Sequence, residues 1–294
     1  MDTRIKEELE GMKEDSCVTF IGAGNMAEAI ISGVVKKGQY RPEQLAVTNK
    51  NNMGRLIELQ DKYGVQGIAR DRLPISSANI IILAVKPKDA EEALWFLRDR
   101  LQPDQLVISV MAGISISYLE AHLSKHQPII RTMPNTSGMI LESATALSPG
   151  QHVTMKNVNL AKSLFKAIGE VYVIEEEQMD LFTGMAGSGP AFFYYLVEHI
   201  EKKAVENGMD SIMAREIGAQ TILGAAKMLL ERSEPTSQLR KNITSKNGTT
   251  EAGLEALSRS GGGEALMAAI EKAMNRSKEI SKELEQNSLE KNRL

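Results

Sequence analysis

The strongest chemical signal in the sequence is a glycine turn between an apolar run and a helical pattern. Residues 18–33 read VTFIGAGNMAEAIISG, which predicts a strand, a tight turn and a buried helix. Gly22 permits the turn, and Gly24 has no side chain to hold a pyrophosphate away from the backbone. Ala27 is small enough for close packing of helix on strand, and the first amides of that helix attract negative charge. The spacing predicts a dinucleotide site, although it also occurs in ordinary glycine turns; its residues are Gly22, Ala23, Gly24, Asn25, Met26 and Ala27.

The end of the next predicted strand, at residues 44–48, selects between the two nicotinamide dinucleotides. A site for NAD usually carries Asp or Glu here to bind the ribose 2′-hydroxyl. This chain has Thr48, Asn49 and Lys50 instead, with Arg55 a little further on. A hydroxyl, an amide and a cation can all donate to a 2′-phosphate, which a carboxylate would repel. The pattern therefore favours NADPH, with NADH as the alternative, unless Lys50 and Arg55 are only solvated surface charges.

Three later predicted strands also end in small, kinked or polar residues. The strand at 79–85 stops at Lys86-Pro87, because proline cannot donate to a strand ladder. The strands at 106–110 and 129–133 end at Met111-Ala112-Gly113 and Pro134-Asn135-Thr136. We expect these groups at one edge of a parallel sheet, where open α/β sheets bind their ligands. The further predicted cofactor residues are Ala84, Val85, Lys86, Pro87, Met111, Ala112 and Gly113.

Composition and charge favour a small-molecule partner over nucleic acid or a membrane. The 294 residues carry a formal net charge of −3, and no basic cluster stands out. Residues 1–16 are mostly charged and lack the apolar core of a secretory signal, and no later run reaches transmembrane length. The only cysteine, Cys17, excludes an internal disulfide, and the four histidines have no metal-ligand spacing. We expect a cytoplasmic protein without a metal.

The elements that must position these residues fall into two halves. Between residues 17 and 175, apolar runs of strand length alternate with helical patterns, which predicts a doubly wound α/β sheet. From residue 176 the strand pattern disappears, and long stretches at helical spacing replace it. We therefore predict a charged N-terminal extension at 1–16, a dinucleotide-binding domain at 17–175 and a helical domain at 176–294.

The helical half predicts association between subunits. Residues 192–197 are apolar all round, which predicts a buried helix. The next predicted helix, at about 211–230, carries Gly218 and Gly224. Each glycine costs up to about 1 kcal/mol in a helix interior, so their presence indicates close helix contact. Because too few elements remain in one chain to cover these faces, the sequence predicts a homodimer, or a higher homo-oligomer built from dimers.

Five ordered motifs extend over most of the chain. They are GAGNMA at 22–27, AVKP at 84–87, RTMPNT at 131–136, GSGPA at 187–191 and SKNGTTEAGL at 245–254. With these motifs, the sequence from about residue 18 to about residue 283 resembles the pyrroline-5-carboxylate reductase family, which catalyses the last step of proline synthesis. The resemblance implies a Rossmann-type sheet domain followed by an all-α dimerisation domain. It also implies that each active site lies between the cofactor domain of one chain and helices at the dimer interface.

The resemblance further assigns roles to residues of the second half. It implies that Thr250 is the catalytic threonine, which hydrogen-bonds the ring nitrogen of the substrate. The backbone amides of Gly248, Thr249 and Thr250 would hold the substrate carboxylate, and Asn242 would reach the cofactor. From the residues alone, a helix cap is the better explanation of Thr250, because serine and threonine often occupy that position.

Four positions depart from the family pattern. Lys246 and Asn247 stand where the family usually has proline and glycine, and asparagine tolerates a left-handed backbone well enough to preserve the turn. Lys246 either helps to attract a carboxylate or points into water. Ser137 replaces the proline usual after the Asn-Thr pair, and Asp71 stands where an adenosine-facing Asn is common. These changes bear on affinity and cofactor choice more than on the type of reaction.

Other functions remain open from the sequence. The β-hydroxyacid dehydrogenases have a similar layout, but their catalytic lysine corresponds here to Phe193, counted from Gly187-Ser188-Gly189, so the acid/base group is missing. A cofactor-binding regulator that has lost turnover would bind NADPH without consuming it. A related cyclic imine is an alternative substrate for the same chemistry.

Overall fold

The structure is a computed structural model that describes residues 16–291, so residues 1–15 of the predicted N-terminal extension lie outside it. Its strands are β1 (Val18–Ile21), β2 (Leu45–Thr48), β3 (Gln66–Gly67), β4 (Ile80–Leu83), β5 (Leu106–Ser109), β6 (Ile129–Met133), β7 (Ser143–Pro149) and β8 (Gly169–Val173). Its α-helices are α1 (Asn25–Lys36), α2 (Met53–Tyr63), α3 (Ala90–Arg98), α4 (Ile116–His122), α5 (Met155–Phe165), α6 (Met179–Phe182), α7 (Gly189–Glu206), α8 (Ser211–Glu231), α9 (Thr236–Asn242), α10 (Thr249–Arg259) and α11 (Gly262–Lys291).

The strands form one sheet in the order β3-β2-β1-β4-β5-β6-β7-β8. Pairing is parallel from β3 to β6, whereas β7 runs antiparallel to β6 and parallel to β8. The order of the strands reverses at β1, which has β2 on one side and β4 on the other. This arrangement confirms the predicted doubly wound α/β sheet, and its switch point between β1 and β4 is where such sheets hold ligands.

The middle of the sheet is buried on both faces. All four residues of β4 are inaccessible to solvent. Ile80 and Ile82 point into one apolar core, while Ile81 and Leu83 point into the other. Alternation of side chains along a strand explains why a continuous apolar run, rather than an alternating one, marks this strand in the sequence.

The chain divides into two compact units. A sheet unit extends to Gly187 and takes in the chain again from Ala273, and a helical unit consists of Ser188–Lys272. The sequence places the boundary at residue 175, where the strand pattern ends. The sheet unit continues beyond it because Met179 and Phe182 of α6 are buried in a small cluster with Ala146 of β7.

The helical unit contains the close helix contact predicted from glycine. A Cβ at Gly218 of α8 would lie 3.4 Å from Cγ1 of Val197 on α7, whereas one at Gly224 would meet nothing within 4 Å. One chain alone does not provide the predicted burial of residues 192–197, since Phe193 and Tyr194 are 54% and 69% exposed in it. Within residues 16–291, no helix has both the length and the apolar character needed to cross a membrane.

Candidate functional site

The glycine turn lies at the switch point of the sheet, between β1 and α1. Gly22 has a φ of 116°, and a Cβ there would overlap the carbonyl oxygen of Ala84, so glycine is required. Gly24 is the N-cap residue of α1 and offers no side-chain hydrogen bond, and a Cβ on it would meet no atom within 4 Å. Ala27 is fully buried. The turn therefore leaves open backbone beside the first amides of α1, as a bound pyrophosphate requires.

A cavity of about 480 Å³ opens beside this turn. Its walls come from the carboxyl ends of β1, β2 and β4 and from the start of α3. A cavity of this size is typical of sites for small molecules and cofactors. The predicted cofactor residues on its walls are Gly22, Ala23, Gly24, Thr48, Asn49, Lys50, Ala84, Val85 and Lys86.

The other predicted cofactor residues of the sheet unit do not line this cavity. Gly113 has a φ of 71°, and a Cβ on it would approach Cγ2 of Ile280 in α11 to 2.8 Å. Its small size is therefore already required by packing, which is a different reason from the predicted approach of a cofactor. The remaining residues outside the cavity wall are Asn25, Met26, Ala27, Pro87, Met111 and Ala112.

Of the polar side chains at the end of β2 and just after it, some are free to bind a ligand and others are hydrogen-bonded within the loop. Thr48 is fully buried, and its hydroxyl has no hydrogen-bond partner among the described residues. Asn49 uses both ends of its amide locally, donating to the carbonyl oxygen of Asn52 at 2.7 Å and accepting from the Asn52 amide at 2.8 Å. The orphan hydroxyl of Thr48 on the cavity wall fits a ribose or phosphate group, whereas the Asn49 side chain serves the loop.

The Arg55 side chain is also bonded within the chain, to the glycine turn and to two carboxylates. Its Nε donates to the carbonyl oxygen of Ala23 at 3.0 Å, and its guanidinium forms ion pairs with Glu28 and Glu58. Glu28 accepts further hydrogen bonds from Lys62 at 2.8 Å and from the Tyr63 hydroxyl at 2.9 Å. Burial opposes the charge of Glu28, but these hydrogen bonds outweigh it and lower its pKa to about 2. Arg55 thus fastens the turn to α2.

A second ion cluster lies on the cavity wall itself. Lys50 pairs with one carboxylate oxygen of Glu92, and Nη1 of Arg70 pairs with the other at 2.8 Å. The hydrogen bond from Lys50 holds the pKa of Glu92 below its usual range. Sequence reasoning missed Arg70 and Glu92, although Arg70 immediately precedes Asp71, a position expected near the adenosine. Arg70 reaches the cavity wall, whereas Asp71 is exposed and outside it.

In the helical unit, the predicted substrate residues lie at the start of α10. Gly248 is the N-cap residue, and no side chain caps this helix. Thr249 and Thr250 are the first two residues of the helix, so Thr250 does not serve as the cap. The Gly248 amide donates to the carbonyl oxygen of Ser245 at 3.0 Å. The amides of Thr249, Thr250 and Glu251 have no acceptor among the described residues, and the helix dipole favours an anion at this helix end.

The altered residues of this loop preserve its turn. Asn247 has a φ of 60°, the left-handed conformation expected from asparagine in place of glycine. Its amide donates to Oε2 of Glu251 at 2.6 Å, which ties the loop to the first turn of α10. Lys246 is exposed. Asn242, the predicted cofactor contact, ends α9 and accepts a hydrogen bond from Nε2 of Gln238 at 2.7 Å.

The substitution at Ser137 has a local explanation. The Ser137 amide donates to Oδ1 of Asn135 at 3.2 Å, a bond that the usual proline could not make. Asn135 in turn donates to the carbonyl oxygen of Ala186 at 3.0 Å, both within the sheet unit. Ser137 therefore helps to hold the segment that follows β6. In the part of the chain that the structure describes, no group of three or more His, Cys, Asp or Glu side chains is placed to hold a metal ion.

Two family models match the chain in sequence order. Residues 17–113 match the model described as NADP oxidoreductase, coenzyme F420-dependent. Residues 176–280 match the model for pyrroline-5-carboxylate reductase dimerisation. The first covers the glycine turn and the cavity walls, and the second covers α7, α8 and the start of α10.

Individual proteins give the same result over nearly the full length. Pyrroline-5-carboxylate reductase 1 of Bacillus subtilis is 54% identical over 282 residues, which span 96% of this chain and 95% of that protein. The solved pyrroline-5-carboxylate reductase of Coxiella burnetii is 34% identical with a TM-score of 0.84, covering 91% of this chain and 99% of that one. The Plasmodium falciparum pyrroline carboxylate reductase, solved with NADP bound, is 27% identical with a TM-score of 0.81 over the same shares.

Proposed function

The chain belongs to the pyrroline-5-carboxylate reductase family, and we propose that it catalyses the reduction of 1-pyrroline-5-carboxylate to L-proline with NADPH. This is an oxidoreductase reaction on a C=N bond and the last step of proline biosynthesis. NADH is the alternative reductant. The observation that carries the proposal beyond the family match is the start of α10, where Gly248 takes the cap position and leaves the first helix amides and the Thr250 hydroxyl for a ligand.

The reaction depends more on the position of the substrate against the cofactor than on an acid or a base supplied by the protein. The nicotinamide, when bound, supplies the hydride. The ring nitrogen of a protonated imine already carries the proton that an alcohol dehydrogenase must supply from a side chain. The task left to the protein is to hold the imine carbon in line with the hydride donor, which alone can contribute a large share of the rate.

Thr250 is proposed as the residue that orients the ring nitrogen. Its hydroxyl can accept the N–H of the iminium and relay a proton, while the amides of Thr249 and Thr250 take the substrate carboxylate. The exposed ammonium of Lys246 adds attraction for the same carboxylate. The Gly248 amide, predicted to share this task, is bonded to Ser245, so Gly248 contributes by fitting the turn.

The cofactor is proposed to lie along the cavity of the sheet unit. The open backbone at Gly24 and the first amides of α1 would hold the pyrophosphate, and Thr48 and Lys50 would meet the phosphorylated ribose. The fit is supported by the buried Thr48 hydroxyl, which has no partner among the described residues, and by the open space beside Gly24, where a Cβ would meet none of their atoms within 4 Å. The other residues proposed to contact the cofactor are Ala23, Asn25, Met26, Ala84, Val85, Lys86, Pro87, Met111, Ala112, Gly113 and Asn242.

The functional unit is a homodimer, since the helical half matches a dimerisation model and exposes apolar helices. We propose that each active site combines the cofactor cavity of one subunit with the α10 start of the other. Assembly into a larger oligomer of dimers is a further proposal. We also propose that the protein works in the cytoplasm, because its one cysteine leaves no internal disulfide to need an oxidising compartment.

The test is to mix the purified protein with 1-pyrroline-5-carboxylate and each reduced nicotinamide in turn. We expect loss of NADPH absorbance matched by formation of proline, measured by amino-acid analysis. Expression of the gene should restore growth of a proline auxotroph. Binding of NADPH without consumption in the presence of substrate would instead identify a regulator and overturn the proposed activity.

A further inference from the structure

The Lys50–Glu92–Arg70 cluster is an anion site that the chain fills with its own carboxylate. Each oxygen of Glu92 faces a different cation, Lys50 on one side and Arg70 on the other. All three residues line the cofactor cavity. Lys and Arg bind carboxylates and phosphates alike, so two cations that converge on one anion can also take a phosphate group.

Arg70 is held in this cluster by contacts with both Glu92 and Phe96. Its Nη2 donates to the backbone oxygen of Glu92 at 3.1 Å, and its guanidinium lies 4.6 Å from the centre of the Phe96 ring. Its Nε is buried and has no partner within the described residues. The side chain is 20% exposed, compared with 57% for Lys50 and 45% for Glu92. Lys50 and Glu92 are therefore the more exposed members of the cluster, and Arg70 is the more buried cation.

After β2, the other side chains predicted to take a phosphate already have partners, and Lys86 and Lys88 line the same cavity just after β4. Arg55 is bound to Ala23, Glu28 and Glu58, and Asn49 is bound to Asn52. The strand end after β2 has no carboxylate to bind a 2′-hydroxyl. Glu92 is a carboxylate at this end of the cavity, and it pairs with Lys50 and Arg70, the two cations that a 2′-phosphate would bind.

We propose that Glu92 sets the preference between NADPH and NADH, by occupying Lys50 and Arg70 in competition with the 2′-phosphate of NADPH. This inference rests on the proposed function, because it assumes a nicotinamide dinucleotide in the cavity. The 2′-phosphate must displace Glu92 to reach both cations, because the Glu92 carboxylate holds both of them and would repel the charge of the phosphate. NADH carries no such group, so it binds with the cluster intact, and Glu92 can accept a hydrogen bond from its 2′-hydroxyl.

The test measures binding of adenosine 2′,5′-bisphosphate and of ADP by calorimetry, so that it does not depend on turnover. In Glu92→Gln, the affinity for the 2′,5′-bisphosphate should rise about three- to tenfold, because the competing charge is gone, while the affinity for ADP stays within about twofold. Lys50→Gln should act in the opposite direction and weaken only the 2′,5′-bisphosphate. Opposite signs cannot arise from a general loss of folding.

The matched control is Glu170→Gln, which makes the same charge change at an exposed position on β8, outside the cavity. It should change neither affinity. Equal affinities in Glu92→Gln and the native protein, or weaker binding of the 2′,5′-bisphosphate in Glu92→Gln, would overturn the competition and make Glu92 a structural support of Arg70. Failure of the native protein to bind either nucleotide would overturn the proposed function, and this inference with it.

Discussion

Apolar side chains are buried in the sheet unit, whereas many large ones are exposed in the helical unit. Every residue of β4 is inaccessible to solvent, and both faces of the sheet have their own apolar core. In α7 and α8, by contrast, the buried residues are Gly189, Ala214 and Gly218, while large apolar side chains remain exposed. One chain thus forms the proposed cofactor cavity by itself, whereas the helical unit, which matches a dimerisation model, leaves its apolar helices exposed in a single chain. Cofactor binding and assembly should accordingly be separable by mutation.

Charging the exposed surface of α7 is the strongest way to break this contrast. Phe193→Asp places a carboxylate where a second copy would cover it, and an unpaired buried charge is costly enough to prevent association. We expect a monomer in light scattering and loss of almost all turnover, with NADPH binding retained. Lys202→Asp, exposed on the same helix, should remain dimeric and active. A dimeric Phe193→Asp protein with normal turnover would remove this surface from the interface.

Substitutions at two glycines of the sheet unit should distinguish an effect on folding from an effect on cofactor binding. Gly22→Ala forces a side chain into a φ of 116° and against the Ala84 carbonyl, so thermal unfolding should show a loss of about 3 kcal/mol. Gly24→Ala has room for its methyl group, so its stability should change little while its affinity for NADPH falls. Equal stability of the two variants would contradict the turn geometry.

In the helical unit, Thr250→Ala should lower turnover by about 10² while leaving NADPH binding nearly intact, because only the orientation of the substrate is lost. Thr249→Ala is the matched control, since only the amide of that residue is proposed to act, and it should keep most of its turnover. Thr250→Ser should recover activity, because it restores the hydroxyl. Steady-state kinetics with fixed NADPH measures all three, and unchanged turnover in Thr250→Ala would remove Thr250 from the mechanism.

The smallest expected effect concerns the ion cluster that holds the glycine turn. Because the pKa of Glu28 is about 2 in the folded chain, against 4.5 ordinarily, its stabilisation is complete above about pH 5 and is lost as the pH falls towards 2. Glu28→Gln should therefore cost about 2 kcal/mol at neutral pH and flatten the loss of stability between pH 5 and pH 2.

Urea unfolding at several pH values measures this difference. Glu170→Gln, at an exposed position, should leave stability at neutral pH unchanged. An unaltered acid dependence in Glu28→Gln would show that the cluster contributes nothing to the sheet unit.

The sheet was predictable from sequence because its strands carry strong local signals. Apolar runs bounded by glycine or proline mark β1, β4 and β5, and burial on both faces explains why these runs are continuous. The two-residue β3 carries no such signal, since only pairing with β2 makes it a strand. The apolar composition of α7 predicts burial but does not say whether the cover comes from the same chain, and a single chain leaves the helix exposed.

The cofactor site was predictable only in part. Residue types alone do not show that the Asn49 side chain bonds within its own loop, or that Arg55 donates to the glycine turn. Arg70 and Glu92 are 22 residues apart and meet only because the sheet brings the turn before β4 close to α3. The backbone turns at Gly22 and Asn247 were predicted correctly from sequence, whereas contacts between residues distant in sequence were not.

A hybrid dimer tests most directly the proposal that the active site joins the cofactor cavity of one subunit to the α10 start of the other. One subunit would carry Gly24→Val, which blocks the pyrophosphate, and the other Thr250→Ala, with different affinity tags for purification. If the halves come from different subunits, one of the two sites in the hybrid is intact, and turnover should be about half that of the native dimer. A hybrid no more active than either inactive parent would contradict the account.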